Sequence, residues 1–586
     1  MGKKKELSRR AFIGLGAAAA VTAGTTTMGL VGCAPSAASE APKDNVATSS
    51  TTSSGTTSNT GEPAFMVAPE VPTDVQEVKE CDILVIGLGL SGVAAARAAS
   101  EAGAKVIAVE KQAQLGIVGM AGDFGIYGSK IQQDLNMELA SKEEVVNQLM
   151  KDMVFRPKGE MLSYWYDHSG IDFDWFLEGT SYEVVSTFTD LPSTPDANYI
   201  RPKYFPVLEG YDRSKELFPF FNGTLTTLPS VGWCMEASAE IAQSKGAEFI
   251  FEVFGDQLIK DESGRVTGAY IRDVDKKYTQ INASKAVILC CGDISGNRDM
   301  LMYYAPWTDG IRPFYPNMDV EGAIANTGDG QRMGMWAGGH MEKGPLAPMT
   351  HHMGGALGVD AFLQLNINGE RFMNEDIPGQ NIQDQLCSQP EMRSFQIIDS
   401  KWPEQLSVQG TGHGYVNYYI PDSEADKWPG AVGEGYSANF SGYTTDSMFL
   451  DAVTYQADTI EELAEQMGLP VEKVRASIER YNELCHKGVD EDFGKPARRM
   501  FPVENPPFYA CEFGDAGMLV CMGGLDCDMD CHVLDEEMKP IPGLYVAGNN
   551  MGGRYAVEYP VTEAGISLAT AVTFGRLAGE KAAAGA

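Results

Sequence analysis

Residues 81–111 read CDILVIGLGLSGVAAARAASEAGAKVIAVEK. Ile83, Leu84, Val85 and Ile86 make an apolar run, rich in β-branching and too short for a helix, so it reads as a buried strand. Gly87, Gly89 and Gly92 follow at GxGxxG spacing. Leu90 and Ser91 open an alanine-rich helix, and a second strand over 105–109 runs into Glu110 and Lys111. Dinucleotide chemistry asks for these residue types in this order. The first glycine turns the chain tightly, the second lets the backbone approach a pyrophosphate, and the third lets helix pack on strand. The pyrophosphate rests on the helix N-terminus and the acid accepts from a ribose hydroxyl. The stretch therefore predicts a dinucleotide site in a Rossmann-like α/β domain. FAD and NAD both satisfy it.

The rest of the chain narrows the class. At 586 residues it is too long for one core. A net charge of -35 argues against nucleic acid or an anionic lipid surface as partner. Eleven scattered cysteines do not make a disulfide framework. At the start, Lys3, Lys4 and Lys5 precede Ser8-Arg9-Arg10-Ala11-Phe12-Ile13 and a modestly apolar segment over 14–29. This is a targeting segment, with the paired arginines of a twin-arginine export signal. Leu30-Val31-Gly32-Cys33 matches a lipobox, which would make Cys33 the acylated first residue on the outer face of a bacterial cytoplasmic membrane. Residues 34–76 are mostly Ser, Thr, Ala, Pro and Gly and predict a disordered tether. Some 40 such residues reach roughly 35 Å. The lipid anchor would be the only membrane attachment.

Further along, 116–128 (GIVGMAGDFGIYG) is dense in glycine, Gly119 among them, which suits a loop beside a flat ligand. Helices are expected over 143–153, 164–177 and 233–245, and strands over 248–253, 265–273 and 286–290. The segment NTGDG at 326–330 places Asp329 before another helix. From 346 to 504 the texture changes to aromatic loops with one helix pair, 459–467 and 470–487, which reads as an inserted domain. From 505 the α/β texture returns, ending in a helix from Gly565. QGTGHG at 409–414 mimics a second nucleotide loop but follows no buried strand, so it is assigned to an ordinary loop.

In motif order the chain from residue 80 onward resembles the fumarate reductase/succinate dehydrogenase flavoprotein family in its single-chain, soluble form. That family includes flavocytochrome c fumarate reductase, urocanate reductase and the 3-ketosteroid dehydrogenases. The matching segments include AVILCCGDISGN at 286–297, NTGDG at 326–330, NGERFMNE at 368–375, PPFY at 506–509, MGGL at 522–525, GLYVAG at 543–548 and TFGRLAG at 573–579. The resemblance implies FAD. It also implies a Rossmann-like FAD-binding domain over 77–345 and 505–586, interrupted by an α+β capping domain over 346–504, with substrate held between cap and isoalloxazine. Gly87, Gly89, Gly92, Glu110 and Lys111 would hold the adenosine and pyrophosphate, and Gly292 and Asp329 the adenine and ribose side. Asn549 stands where relatives often carry a glutamate near the ribityl chain. The amides of Ser567 and Leu568 would face the flavin O2.

The departures bear on substrate. The family's cationic clamps for a dicarboxylate are missing. Gly379-Gln380 lies near the place of its proton-donating arginine, and Leu519-Val520-Cys521 replaces its HxT histidine. Tyr559-Pro560 instead resembles the tyrosine–proline of ketosteroid dehydrogenases, whose hydroxyl polarises or protonates an enone. Tyr559 is therefore the first catalytic candidate, with Tyr555 and Arg554 on the same loop, Tyr127 in the glycine-rich loop, and His352. CDMDCH at 527–532 spaces its cysteines one residue too widely for haem attachment, and no metal site is expected. The expectation is an exported FAD enzyme that reduces an activated C=C bond. With one dinucleotide site, its electrons would come from a separate protein, a cytochrome or a quinol-linked donor. A ketosteroid-type dehydrogenase and a FAD electron-relay lipoprotein are the alternatives.

Overall fold

The computed structural model describes residues 63–585 except 117–121, 188–189, 191, 195–196, 208–209, 315, 355–360, 409–417 and 428–442. The export signal, Cys33, most of the tether and the loop at 409–414 lie outside the described residues. The stretch over 81–111 folds as its pattern predicts. Val75–Ile86 is a strand, Leu90–Glu101 a helix and Val106–Val109 a second strand. Both strands join a central sheet whose order is His532–Leu534, Pro540–Val546, Tyr278–Leu289, Val75–Ile86, Val106–Val109, Glu248–Ile250. The Val253–Lys260 and Val266–Asp273 hairpin extends it beside Tyr278–Leu289. The expected strand at 248–253 is thus two strands, broken at Glu252, whose φ is +62°.

Register decides where the ligand crevice lies. Ile86 pairs with Val109 on one side and Leu289 on the other, and Leu289 pairs in turn with Val546, all in parallel. Four strands therefore end level, and the residues after them (Gly87, Glu110, Cys290 and Ala547) share one edge. The outer carboxyl edge of a parallel sheet is where such folds hold ligands. Leu90–Glu101 and the closing helix Ile566–Ala584 cover the sheet and cross closely. A Cβ at Gly575 would meet Ser91 O at 2.5 Å, and one at Gly579 would meet Ala95 O at 2.4 Å.

The inserted domain has its own sheet, in which Phe508–Met522 pairs with Ser394–Ile398, Ala347–Gly354 and Tyr455–Ala457. Leu463, Ala464, Met467, Val474, Ile478 and Tyr481, from Ile460–Met467 and Val471–Lys487, pack against it. A buried ion cluster ties its ends together: Arg371 meets Glu375 at 2.9 Å and Asp490 at 2.8 Å, and Lys495 meets Glu375 at 3.1 Å. The strand Phe508–Met522 starts in the cap core, through Phe508 and Ala510, and ends in the flavin-domain core, through Met518 and Met522. The chain thus changes body within a strand.

The expected tether extends too far toward the C-terminus. Ala64–Met66 form a turn, and the Phe65 ring sits edge-on to Tyr303 at 5.6 Å. Trp336 Nε1 donates to Phe65 O at 3.0 Å. Among the described residues, no helix is long and apolar enough to cross a membrane.

Candidate active site

At the crevice the three glycines do different jobs. Gly87 has φ +99° and a Cβ there would strike Cys290 O at 2.3 Å; at Gly92 it would strike Gly87 O at 1.9 Å. At Gly89 nothing of the protein lies closer than Gly116 O at 3.9 Å. The first and third glycines serve protein packing, while the second keeps a surface open for a ligand to approach. Glu110 is buried, accepting from Leu88 N at 2.7 Å and Gln112 N at 2.9 Å. Burial pushes its carboxyl up, against those amides. Lys111 bonds Asp329 at 2.7 Å, and Arg332 approaches the other oxygen of that carboxylate. Burial would raise Asp329, but the Lys111 and Arg332 charges outweigh it and hold it below the usual range.

Across the crevice Asn550, next to the expected Asn549, fastens the turn after the strand. Its side chain accepts from Cys291 N and donates to Gly292 O at 2.9 Å and Gln331 Oε1 at 2.7 Å. Asn549 contributes its carbonyl, which accepts from Gln331 Nε2 at 3.2 Å. Ser91 lies beneath the same turn, where a Cβ on Gly548 would meet its Oγ at 2.2 Å.

The closing helix is capped by Gly565 at φ +78° and presents its first amides to the site. Ser567 N donates to the Tyr559 hydroxyl at 3.2 Å, so that amide is engaged by protein rather than left open as expected. Leu568, also in the first turn, is partly buried against the core. The contact places the phenol on the helix N-terminus, where the flavin's polar edge is expected. Burial pushes the Tyr559 phenol up, and the nearby Tyr555 adds to the shift. Tyr555 OH lies 2.9 Å from Thr570 Oγ1. Arg554, buried, donates to Thr570 Oγ1 at 2.8 Å and to Gly548 O. Glu342 anchors the start of this loop by accepting from Gly553 N at 2.6 Å and Gly524 N at 3.1 Å. Burial pushes its carboxyl up to about 7. Nothing in its local sequence marks it.

Residues 82–566 match the family model described as FAD binding domain. The chain belongs to that family. The flavoprotein is 27% identical over 522 residues to a vinyl phenol reductase of Lactiplantibacillus plantarum, covering 86% of this chain and 96% of the relative. It is 25% identical over 621 residues to a digoxin reductase of Eggerthella lenta, covering 100% and 98%. Its fold is similar to that of a 3-ketosteroid-Δ4-(5α)-dehydrogenase from Rhodococcus jostii, with a TM-score of 0.65, 22% identity and coverage of 88% and 100%. It is a FAD-dependent oxidoreductase of the kind that acts on C=C bonds. The open surface at Gly89, the acid at the strand end and the N-terminus of Leu90–Glu101 fit FAD.

One expected catalytic residue of the flavoprotein stands differently. Tyr127 does not join Tyr559. Its hydroxyl donates to Glu563, and its ring stacks on Tyr166 at 4.3 Å and edge-on to Trp165 at 5.6 Å. A buried phenol committed to a carboxyl has no proton to offer a substrate, so Tyr127 supports the loop instead. Burial pushes Glu563 up to about 8, against the hydrogen bonds from Tyr127 and Thr224. Thr224 Oγ1 lies 3.2 Å from Glu563 and 2.8 Å from Ala564 O. The Thr224 proton can go to that carbonyl, leaving its oxygen to accept from a protonated Glu563. Gly119 and the side chain of His352 lie outside the described residues.

Proposed function

We propose that this protein is an exported reductase that saturates an activated C=C bond, in an enone or an enoate, with electrons from a separate donor protein. The observation that carries the reading is the Tyr559 phenol seated on the Ser567 amide, at the helix N-terminus beside the flavin pocket. Bound FAD supplies a hydride to the β-carbon. The chain's own residues do the rest. Tyr559 can donate its hydroxyl proton in a hydrogen bond to the substrate carbonyl and stabilise charge that develops there. Arg554, Thr570 and Glu342 fix the loop that carries it. Arg554 donates to neutral partners and shares its loop with Glu558, Tyr559 and Glu563, a setting that suits a neutral substrate better than a dicarboxylate. The relatives named for vinyl phenol and digoxin support a substrate of that kind.

Export rests on Arg9-Arg10, and attachment at Cys33 on the lipobox. Such a protein would take electrons from a cytochrome or quinol-linked partner. A panel of enones and enoates with reduced viologen as donor tests the activity. Turnover of at least one member is expected, and no turnover of any overturns the reading. Tyr559-Pro560 also favours a second reading, dehydrogenation of a saturated ketone. That would be recognised by anaerobic bleaching of the flavin on adding the ketone.

A further inference from the structure

The helix Gly379–Cys387 of the cap begins where the family resemblance places a proton-donating arginine, and this chain has Gln380 there. One turn later on the same face stands Asp384. The structure brings its carboxyl into hydrogen bond with that of Glu558, on the loop of the flavin domain that carries Tyr559. Ionised carboxylates only accept hydrogen bonds, so the contact requires a proton between the two. Val557, beside it, has φ +70°, a left-handed conformation that a β-branched residue rarely adopts. It is held by Val557 N donating to Pro345 O at 2.9 Å and Glu558 N donating to Ala556 O at 2.8 Å. Glu558 Oε1 accepts from Tyr559 N at 3.2 Å, which ties the carboxyl to the residue seated at the flavin pocket.

We propose that Asp384 and Glu558 form a carboxylic acid pair that supplies the proton in C=C reduction, with Glu558 as donor and Asp384 as the residue that keeps it protonated. This rests on the reductase reading. The substrate β-carbon gains a hydride, with both its electrons, from reduced FAD. Its α-carbon gains the Glu558 proton as the carboxyl O–H bond breaks. The π bond is replaced by two C–H bonds, the flavin is left oxidised by two electrons, and the external donor restores them. The half-buried Asp384 side takes up the next proton from solvent. Tyr559 keeps its hydroxyl proton and polarises the carbonyl, a division that suits a phenol whose acidity burial has weakened.

Burial raises both carboxyls, Glu558 the further because the Asp384 charge adds to it. The donor is therefore protonated at neutral pH, and activity should fall as pH rises through the pair's alkaline titration. Cys387, one turn along the helix, also faces Asp384. Tyr555 and Tyr559 turn their hydroxyls to Thr570 and Ser567. His351 and His352 lie on the strand packed against the helix.

The test uses the FAD-loaded protein. Glu558→Gln is expected to lose roughly 10²–10⁴-fold in kcat/KM and the alkaline limb of the pH profile, with flavin content and melting temperature retained. Asp384→Asn should move that limb to lower pH, since an amide can donate to an ionised Glu558. Infrared difference spectra at neutral pH should show a protonated-carboxyl C=O stretch in the wild type that Glu558→Gln lacks. An unchanged rate and limb in Glu558→Gln, or an unchanged infrared band, overturns the proposal. If the wild type reduces nothing on the panel, the reductase reading fails instead, and the infrared band still decides whether the pair shares a proton.

Discussion

Gly89 and Gly92 stand three residues apart in one motif, yet a methyl group should act on them differently. At Gly92 the new Cβ would collide with Gly87 O at 1.9 Å, so Gly92→Ala should lower the melting temperature of the apoprotein as well as its flavin content. At Gly89 the nearest protein atom is 3.9 Å away, so Gly89→Ala should leave the apoprotein melting unchanged and lose FAD. Melting curves with and without added FAD separate the two outcomes. Tyr559→Phe removes the hydroxyl that would face the substrate carbonyl and should cost about 10²–10³-fold in kcat with FAD retained. For Glu563 the expectation concerns stability. Folded, its carboxyl titrates at about 8, and unfolded at about 4.3. The folded state binds the extra proton between those values. Stability is thus full below the lower value, declines as pH rises and levels off above the higher one. Glu563→Gln should flatten that slope in melting temperature against pH.

At the scale of elements, the first helix and the closing helix meet through bare backbone. Gly575 and Gly579 lie against Ser91 and Ala95, with Ala94 and Ala98 completing the contact. A methyl group at Gly579 must push the helices apart, at a cost of about 1–3 kcal/mol. Because the closing helix carries Ser567 and the first helix would carry the pyrophosphate amides, Gly579→Ala should weaken FAD binding from a distance. Titration of the apoprotein with FAD checks this, and unchanged affinity would refute the coupling. The element types were legible in sequence: helices at Lys142–Asp152, Gly232–Ser244 and Val471–Lys487 fall within a residue or two of expectation. Their amphipathic spacing and caps are local signals. The break at Glu252 was not legible, because a positive φ at a non-glycine residue is imposed by the hairpin around it.

For the whole molecule, two bodies share the strand Phe508–Met522, and the docked segment at Phe65 closes over Tyr303, Tyr304 and Trp336. Phe65→Ala should cost roughly 2 kcal/mol of buried aromatic surface, read as a melting temperature below that of the unaltered chain. Equal melting of both would show that the docking carries no stability. The cap and the flavin domain meet at Asp384 and Glu558, residues 174 positions apart in the chain. No periodicity or motif marks that meeting. Each residue alone reads as a surface acid.

The sequence by itself determined the cofactor and the architecture. GxGxxG between two strands, an acid at the strand end and the ordered segments to TFGRLAG are local patterns, and local patterns survive in one dimension. It also brought Tyr559 forward as a candidate. Only the tertiary structure decided which side chains meet. Asn550 fastens the turn at the crevice, Tyr127 answers to Glu563, and Glu342 anchors the loop that carries Tyr559. Those choices depend on turn geometry and on burial that converts carboxylates into acids. Burial is a property of the folded surroundings, and the residue's place in the chain does not carry it.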